Sequence, residues 1–183
     1  VLEAPTSHES PPFKQLGRYE IVRRITHDGG MGEIWLAHHN ALRRDVAVKI
    51  LRPENASDKR AIARFEREVR ATSELRHPNT VRVFDYGVTR DGLWYYAMEL
   101  LDGCDMHDLV RSQGVVKPDR AAHLMMQACK ALNEAHMRGI IHRDIKPENI
   151  FLTNLAGEGE FVKVLDFGLA KVLSTRVQND RSL

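Results

Sequence analysis

"HRDIKPEN", His142–Asn149, is the stretch on which the reading of this chain turns. It places an acid (Asp144), two cations (Arg143 and Lys146) and an amide (Asn149) within eight residues. By itself, a His-Arg-Asp triplet reads as a surface turn. Its neighbours change that. Downstream, two apolar runs with strand character, "IFLT" and "FVKVL", lead to "DFG", Asp166–Gly168. Upstream, "VAVK", Val46–Lys49, lies in the run "RDVAVKIL", where Val46, Val48 and Ile50 alternate with Ala47 and Lys49. A lone strand lysine is usually solvated, but burying this one would require a counter-charge. Further upstream, "ITHDGGMGEIWLA", Ile25–Ala37, carries Gly29, Gly30 and Gly32. Glycines this dense serve a backbone purpose. Taken alone, they read as an ordinary flexible turn more readily than as a phosphate-covering loop.

The bulk composition sets the frame. The chain has 183 residues, 43% hydrophobic and 28% charged, which suits one globular domain or two small lobes. Lys plus Arg is 27 against 25 for Asp plus Glu, a net charge of +2. That balance gives no basic stripe for nucleic acid. Cys104 and Cys129 lack metal-type spacing and read as free thiols in a reducing compartment. No apolar run reaches transmembrane length, and no signal peptide stands at the start. The expected localisation is cytoplasmic, with any membrane anchor outside this chain. The first residue is Val1, which suits an excerpt or a processed product.

Along the chain, "VLEAPTSHESPP" is polar and Pro/Ser-rich and reads as disordered. Five strands are expected: "YEIVRRI", "EIWLAHH", "RDVAVKIL", "TVRVFDYGV" and "LWYYAMELL". A helix sits between the third and fourth, from a Ser57 N-cap to a stop before Pro78, with Ile62, Phe65, Val69 and Thr72 on one face. After Gly103 the character turns helical. A short helix ends at Gly114, and a long one runs from Pro118 to a stop at Gly139, apolar almost all round. A strand-rich first part and a helical second part, joined at "MELLDG", predict two lobes with a cleft between them.

The ordered set GGMGE, VAVK, a glutamate on a helix, HRDIKPEN and DFG resembles the protein kinase family. "GGMGE" and "HRDIKPEN" are similar to bacterial receptor-like Ser/Thr kinases. The resemblance implies an α+β, two-lobe fold with a five-stranded antiparallel sheet and one helix in the first lobe. It implies a lead-in over 1–18, a first lobe and hinge over 19–101, and a partial second lobe over 102–183. The motif order stops after DFG, with no "APE" before Leu183, so the expectation is a partial catalytic domain. It implies a Ser/Thr protein kinase acting on protein hydroxyls with ATP and Mg2+. The other class considered is a non-catalytic nucleotide-binding or scaffold fragment.

The resemblance also carries roles. Asp144 would take the proton of the substrate hydroxyl, and Lys146 would balance charge on the moving phosphoryl group. Asn149 and Asp166 would offer oxygens to magnesium. Lys49 would reach the ATP phosphates with Glu68 as its ion-pair partner. Glu66 is the rival, and the position of Glu68 nine residues before His77 favours Glu68. Gly29, Gly30 and Gly32 would cover the phosphates, although the first glycine of the family's loop is replaced by Thr26 or His27. Adenine would meet Ile25, Ile34, Ala47 and Leu152, with Met98 as gatekeeper. Main-chain groups of Glu99 and Leu101 would bind the base, and Asp105 the ribose. Arg143 would suit a phosphate on Ser174, Thr175 or Ser182. On these grounds Lys49→Met is expected to remove phosphotransfer and spare the fold.

Overall fold

The computed structural model describes residues 14–25, 33–51, 59–89, 92–155 and 159–167. The glycine loop, the Ser57 cap, most of the Pro-rich lead-in and everything after Phe167 lie outside the described residues.

Nine strands and three α-helices are described, in the order β1 (Gln15–Leu16), β2 (Tyr19–Arg24), β3 (Glu33–His39), β4 (Arg44–Leu51), α1 (Lys59–Ser73), β5 (Val83–Val88), β6 (Trp94–Met98), β7 (Gly103–Asp105), α2 (Met106–Gln113), α3 (Pro118–Met137), β8 (Ile150–Leu155) and β9 (Gly159–Val164). The first sheet is antiparallel with the order β1-β2-β3-β4-β6-β5. The five expected strands are all present, and β1 makes a sixth. This corrects the lead-in: Lys14 to Arg18 belong to the fold. Leu16 is buried and pairs with Tyr19 across a tight turn at Gly17. Leu16 thus gains core contacts that offset the entropy of ordering the segment.

Strand β4 has both faces covered. Val46, Val48 and Ile50 pack with Leu16, Tyr19, Trp35 and Tyr95. Ala47 and Leu51 face the other way, onto Phe65 and Val69 of α1 and onto Trp94, Tyr96 and Met98 of β6. The β4–β6 ladder sets Ala47 opposite Met98 and Lys49 opposite Tyr96. Directly opposed residues share a face, so Lys49 and Tyr96 are side-chain neighbours. On the first of these faces, the Tyr95 hydroxyl lies against both Gly17 and Gly87. A Cβ would come within 2.7 Å of it at Gly17 and 2.8 Å at Gly87.

The second part is built on a small sheet, β7-β8-β9, which the sequence reading had without β7. Leu124, Ala128, Ala131 and Ala135 form one buried face of α3 and pack with Ile150, Leu152, Val162 and Val164. The alanines let the helix lie close to the sheet, while Met125, Met126 and Met137 remain exposed. Gly103 enters β7 at φ 148, and a Cβ there would stand 1.9 Å from the Leu152 carbonyl oxygen. Only glycine permits that approach of the connecting segment to β8. No α-helix among the described residues is long and apolar enough to cross a membrane.

Backbone and side-chain contacts both join the halves. Val81 N–H donates to the Val164 carbonyl at 3.0 Å, and Val164 N–H donates to the Asn79 carbonyl at 2.7 Å. On α3, the Glu134 carboxylate accepts from the backbone N–H of His77 at 2.8 Å and of Arg76 at 3.1 Å. Burial pushes the Glu134 carboxyl up. The two N–H groups and the Arg138 guanidinium outweigh it and hold the group below the usual glutamate value. Its contribution is therefore complete above the ordinary glutamate range and is lost as pH falls through that range and below. Glu134→Gln is expected to cost about 1–2 kcal/mol at neutral pH, since hydrogen bonds to a charged acceptor are the stronger kind. Chemical denaturation at a series of pH values checks this: the variant's stability should fall less steeply between neutral and acid pH than the wild type's.

Candidate active site

The site is assembled where the segment after α3 meets the end of β9. The His142 ring is buried and stacks on Phe167, with ring centroids 4.7 Å apart. Its Nε2 lies 2.7 Å from the Leu165 carbonyl, which can only accept, so the proton sits on Nε2. Nδ1 is then free to accept from the Asp144 N–H at 3.3 Å. Burial pulls the His142 pKa down. The opposing pull of the Leu165 carbonyl and of Asp166 and Asp144 is weaker, so the ring is held neutral. The neutral ring fixes the backbone on which Asp144 stands. Arg143, just before it, has φ 65, a left-handed turn that presents Asp144 outward.

Asp144, Lys146 and Asn149 form one cluster. Lys146 Nζ lies 3.4 Å from Asp144 Oδ2. Asn149 ends the short 3-10 turn Pro147–Asn149 and is buried. Its Nδ2 donates to the Asp144 carbonyl at 2.8 Å and to Asp144 Oδ2 at 3.1 Å. Both partners are acceptors, which fixes the amide orientation and leaves Oδ1 for another ligand. The Asn149 carbonyl accepts from Leu165 N–H at 2.9 Å, tying the cluster to the residue before Asp166.

Asp166 also has a left-handed backbone, φ 56. One carboxylate oxygen accepts from Lys49 Nζ, and the other accepts from the Tyr96 hydroxyl. Burial pushes the Asp166 carboxyl up, but the Lys49 ammonium, the hydrogen bonds from Lys49 and Tyr96, and His142 hold it below the usual aspartate value. The sequence expectation for Lys49 is corrected here. Its counter-charge is Asp166, and Glu68 makes no ion pair among the described residues. Glu68 is half-buried on α1 and offers its backbone carbonyl to Thr72 Oγ1. Lys49 side-chain exposure is 8%. One carboxylate in contact neutralises so enclosed an ammonium, and Asp166 arrives from the second part of the chain to do it.

Of the remaining expected positions, Gly29, Gly30 and Gly32 lie outside the described residues. Ala47 and Met98 are buried, with Ile34 and Leu101 packed against the same cluster, and Leu152 lies in the core of the second part. Ile25 is exposed and its N–H donates to the Ile34 carbonyl at 2.8 Å. Asp105 caps α2, its Oδ1 accepting from Asp108 N–H at 2.8 Å. The Glu99 carboxylate accepts from Arg82 N–H at 2.8 Å and from Lys163 Nζ at 2.7 Å. Tyr96 and Lys163 were not anticipated. The signal for Tyr96 was its place two residues before Met98, on the face that the ladder gives to Lys49.

As a donor set, the Asp166 carboxylate and Asn149 Oδ1 are hard oxygens. Magnesium is commonly held by one or two such groups together with water and phosphate. The residues present fit that cation. Among the described residues, no group of three His, Cys, Asp or Glu side chains forms a self-sufficient metal site.

A family model described as the protein kinase domain matches residues 19–182. The chain is 42% identical over 151 residues to the serine/threonine-protein kinase pkn3 of Myxococcus xanthus, covering 82% of this chain and 28% of that protein. It is 40% identical over 159 residues to PrkC of Bacillus subtilis, covering 87% of this chain and 24% of that protein. Among solved structures, a double mutant of the Mycobacterium tuberculosis PknI kinase domain matches with a TM-score of 0.75 and 31% identity, over 84% of this chain and 60% of that one. The chain thus spans about a quarter of the length of these curated relatives.

Proposed function

Because this chain belongs to the protein kinase domain family, we propose that it carries the active-site half of a serine/threonine kinase and transfers the γ-phosphoryl group of ATP to protein hydroxyls. The observation that carries this reading is the convergence of Asp144, Lys146, Asn149, Asp166 and Lys49 at the junction of the two sheets.

The chemistry needs little covalent work from the protein. The serine or threonine oxygen forms a bond to the γ-phosphorus, the bond to the β,γ-bridging oxygen breaks, and ADP leaves. Asp144, fixed by Asn149 and by the neutral His142, accepts the hydroxyl proton. Lys146, beside Asp144, offers positive charge to the phosphoryl oxygens in flight. Lys49 turns its ammonium to the non-transferred phosphates. Asn149 Oδ1 and Asp166 would hold magnesium, which supplies neutralisation of phosphate charge when bound. Ala47, Ile34, Leu152 and Met98 would enclose adenine, with Gly29, Gly30 and Gly32 over the phosphates and Asp105 near the ribose. Lobes over residues 19–101 and 102–183 follow from the same reading, with β1 joined to the first of them. Cytoplasmic placement is supported by the free thiols Cys104 and Cys129.

The test is phosphoamino-acid analysis after incubating the protein and a mixed protein substrate with γ-labelled ATP and Mg2+. Phosphoserine and phosphothreonine are expected. Label on tyrosine alone, or none, would overturn the assignment.

A further inference from the structure

We propose that Tyr96 is a positioning residue for the divalent cation of this site: its hydroxyl holds one oxygen of the Asp166 carboxylate while Lys49 holds the other, so the cation binds only against that hydrogen bond. The inference rests on the reading of Asp166 as a metal-binding side chain and adds to it a group that opposes the metal.

Three observations place Tyr96 in this role. It stands directly opposite Lys49 in the β4–β6 ladder, so the two donors reach Asp166 from adjacent positions on one face. It is 1% exposed, and its hydroxyl is directed at Asp166 Oδ1. Phenylalanine would fill the same apolar volume, so what the hydroxyl adds is this hydrogen bond. Asp166 holds a left-handed backbone, which a non-glycine residue keeps only when its surroundings over-determine it, and two donors on one carboxylate do that.

A carboxylate has about four lone-pair sites. A cation arriving at Asp166 must either displace a donor or share an oxygen with one. If it displaces Tyr96, the buried phenol loses its acceptor. If it shares the oxygen, the hydrogen bond has already drawn off part of the charge that the cation would use. Both routes weaken cation binding, and both are relieved by removing the hydroxyl. Lys49 is different, because nucleotide phosphate gives it another partner; Tyr96 has no such exchange.

The experiment measures binding of Mn2+ alone, by water-proton relaxation, to the wild type, Tyr96→Phe and Asp166→Asn. Tyr96→Phe is expected to bind Mn2+ about tenfold more tightly, the size of one hydrogen bond to a charged acceptor. Asp166→Asn is expected to lose the site. In the wild type, Mn2+ should also shift the near-ultraviolet tyrosine absorption, a signal absent from Tyr96→Phe. Unchanged or weaker binding in Tyr96→Phe, with the site lost in Asp166→Asn, would overturn the role of Tyr96 and leave the cation reading standing. Full Mn2+ binding by Asp166→Asn would overturn both. If Tyr96→Phe does not fold, the wild-type absorption shift decides, and its absence overturns the proposal.

Discussion

Lys49→Met is expected to abolish phosphoryl transfer and also to lower the stability of the protein by about 3–5 kcal/mol, the usual cost of removing one partner from a buried ion pair. The sequence suggested a clean loss of activity. The structure adds the second effect, because Lys49 is the cation that holds the buried Asp166 as an anion. Without it, Asp166 keeps the Tyr96 hydroxyl as a donor but no contacting charge. The group can then escape only by taking up a proton. Thermal and denaturant melts should show the loss at neutral pH and a smaller loss in acid. The double variant Lys49→Met with Asp166→Asn separates the two effects. It should recover most of the stability and none of the activity, because an amide at 166 needs no counter-charge. A single variant as stable as the wild type would mean that the pair contributes nothing to folding.

Asp144→Asn is expected to behave in the opposite way, leaving stability nearly unchanged and lowering kcat by about 10²–10⁴-fold, the range for loss of a positioned general base. Asn149 anchors this residue partly through the backbone, with Nδ2 at 2.8 Å from the Asp144 carbonyl, and that bond survives the substitution. An amide oxygen at the same place still accepts from Asn149 and Lys146. What it cannot do is accept the substrate proton at neutral pH. The KM for ATP should change little, since Asp144 is assigned no nucleotide contact. Steady-state kinetics against varied ATP checks both statements, and a kcat within tenfold of the wild type would remove Asp144 from the base role.

Much of this fold was legible because its long elements announce their period. Strands β3 and β4 match the expected runs: burial alternates along β3, and β4 is a largely apolar run covered on both faces. Helices α2 and α3 stop where Gly114 and Gly139 take positive φ. The misses share one physical cause. β1 has two residues and β7 three, too few for any period to register. Each exists because a partner strand was already in place. The partner of Lys49 was misjudged for a related reason. Glu68 is near in sequence and on an apolar helix face, whereas Asp166 lies 117 positions away and meets Lys49 only once the two sheets are joined. Tyr96 read as one aromatic in an apolar strand, and its hydroxyl acquired meaning only from that same long-range meeting. The cluster of Asp144, Lys146 and Asn149 was legible because it is local, folded within one loop and one 3-10 turn.

The Tyr95 hydroxyl, wedged between Gly17 and Gly87, has an evolutionary consequence: these three positions are epistatic. A scan of single substitutions would score both glycines as intolerant for what looks like one reason, yet their escape routes differ. At Gly17 the close contact is the hydroxyl alone, with the ring carbon at 3.6 Å, so phenylalanine at 95 removes the clash and leaves only the left-handed backbone to satisfy. At Gly87 the ring carbons themselves stand at 2.9 and 3.0 Å, so no change short of losing the aromatic ring admits a side chain. Drift at these sites is therefore ordered in time: position 95 must change first, and which residue it becomes decides which glycine is released.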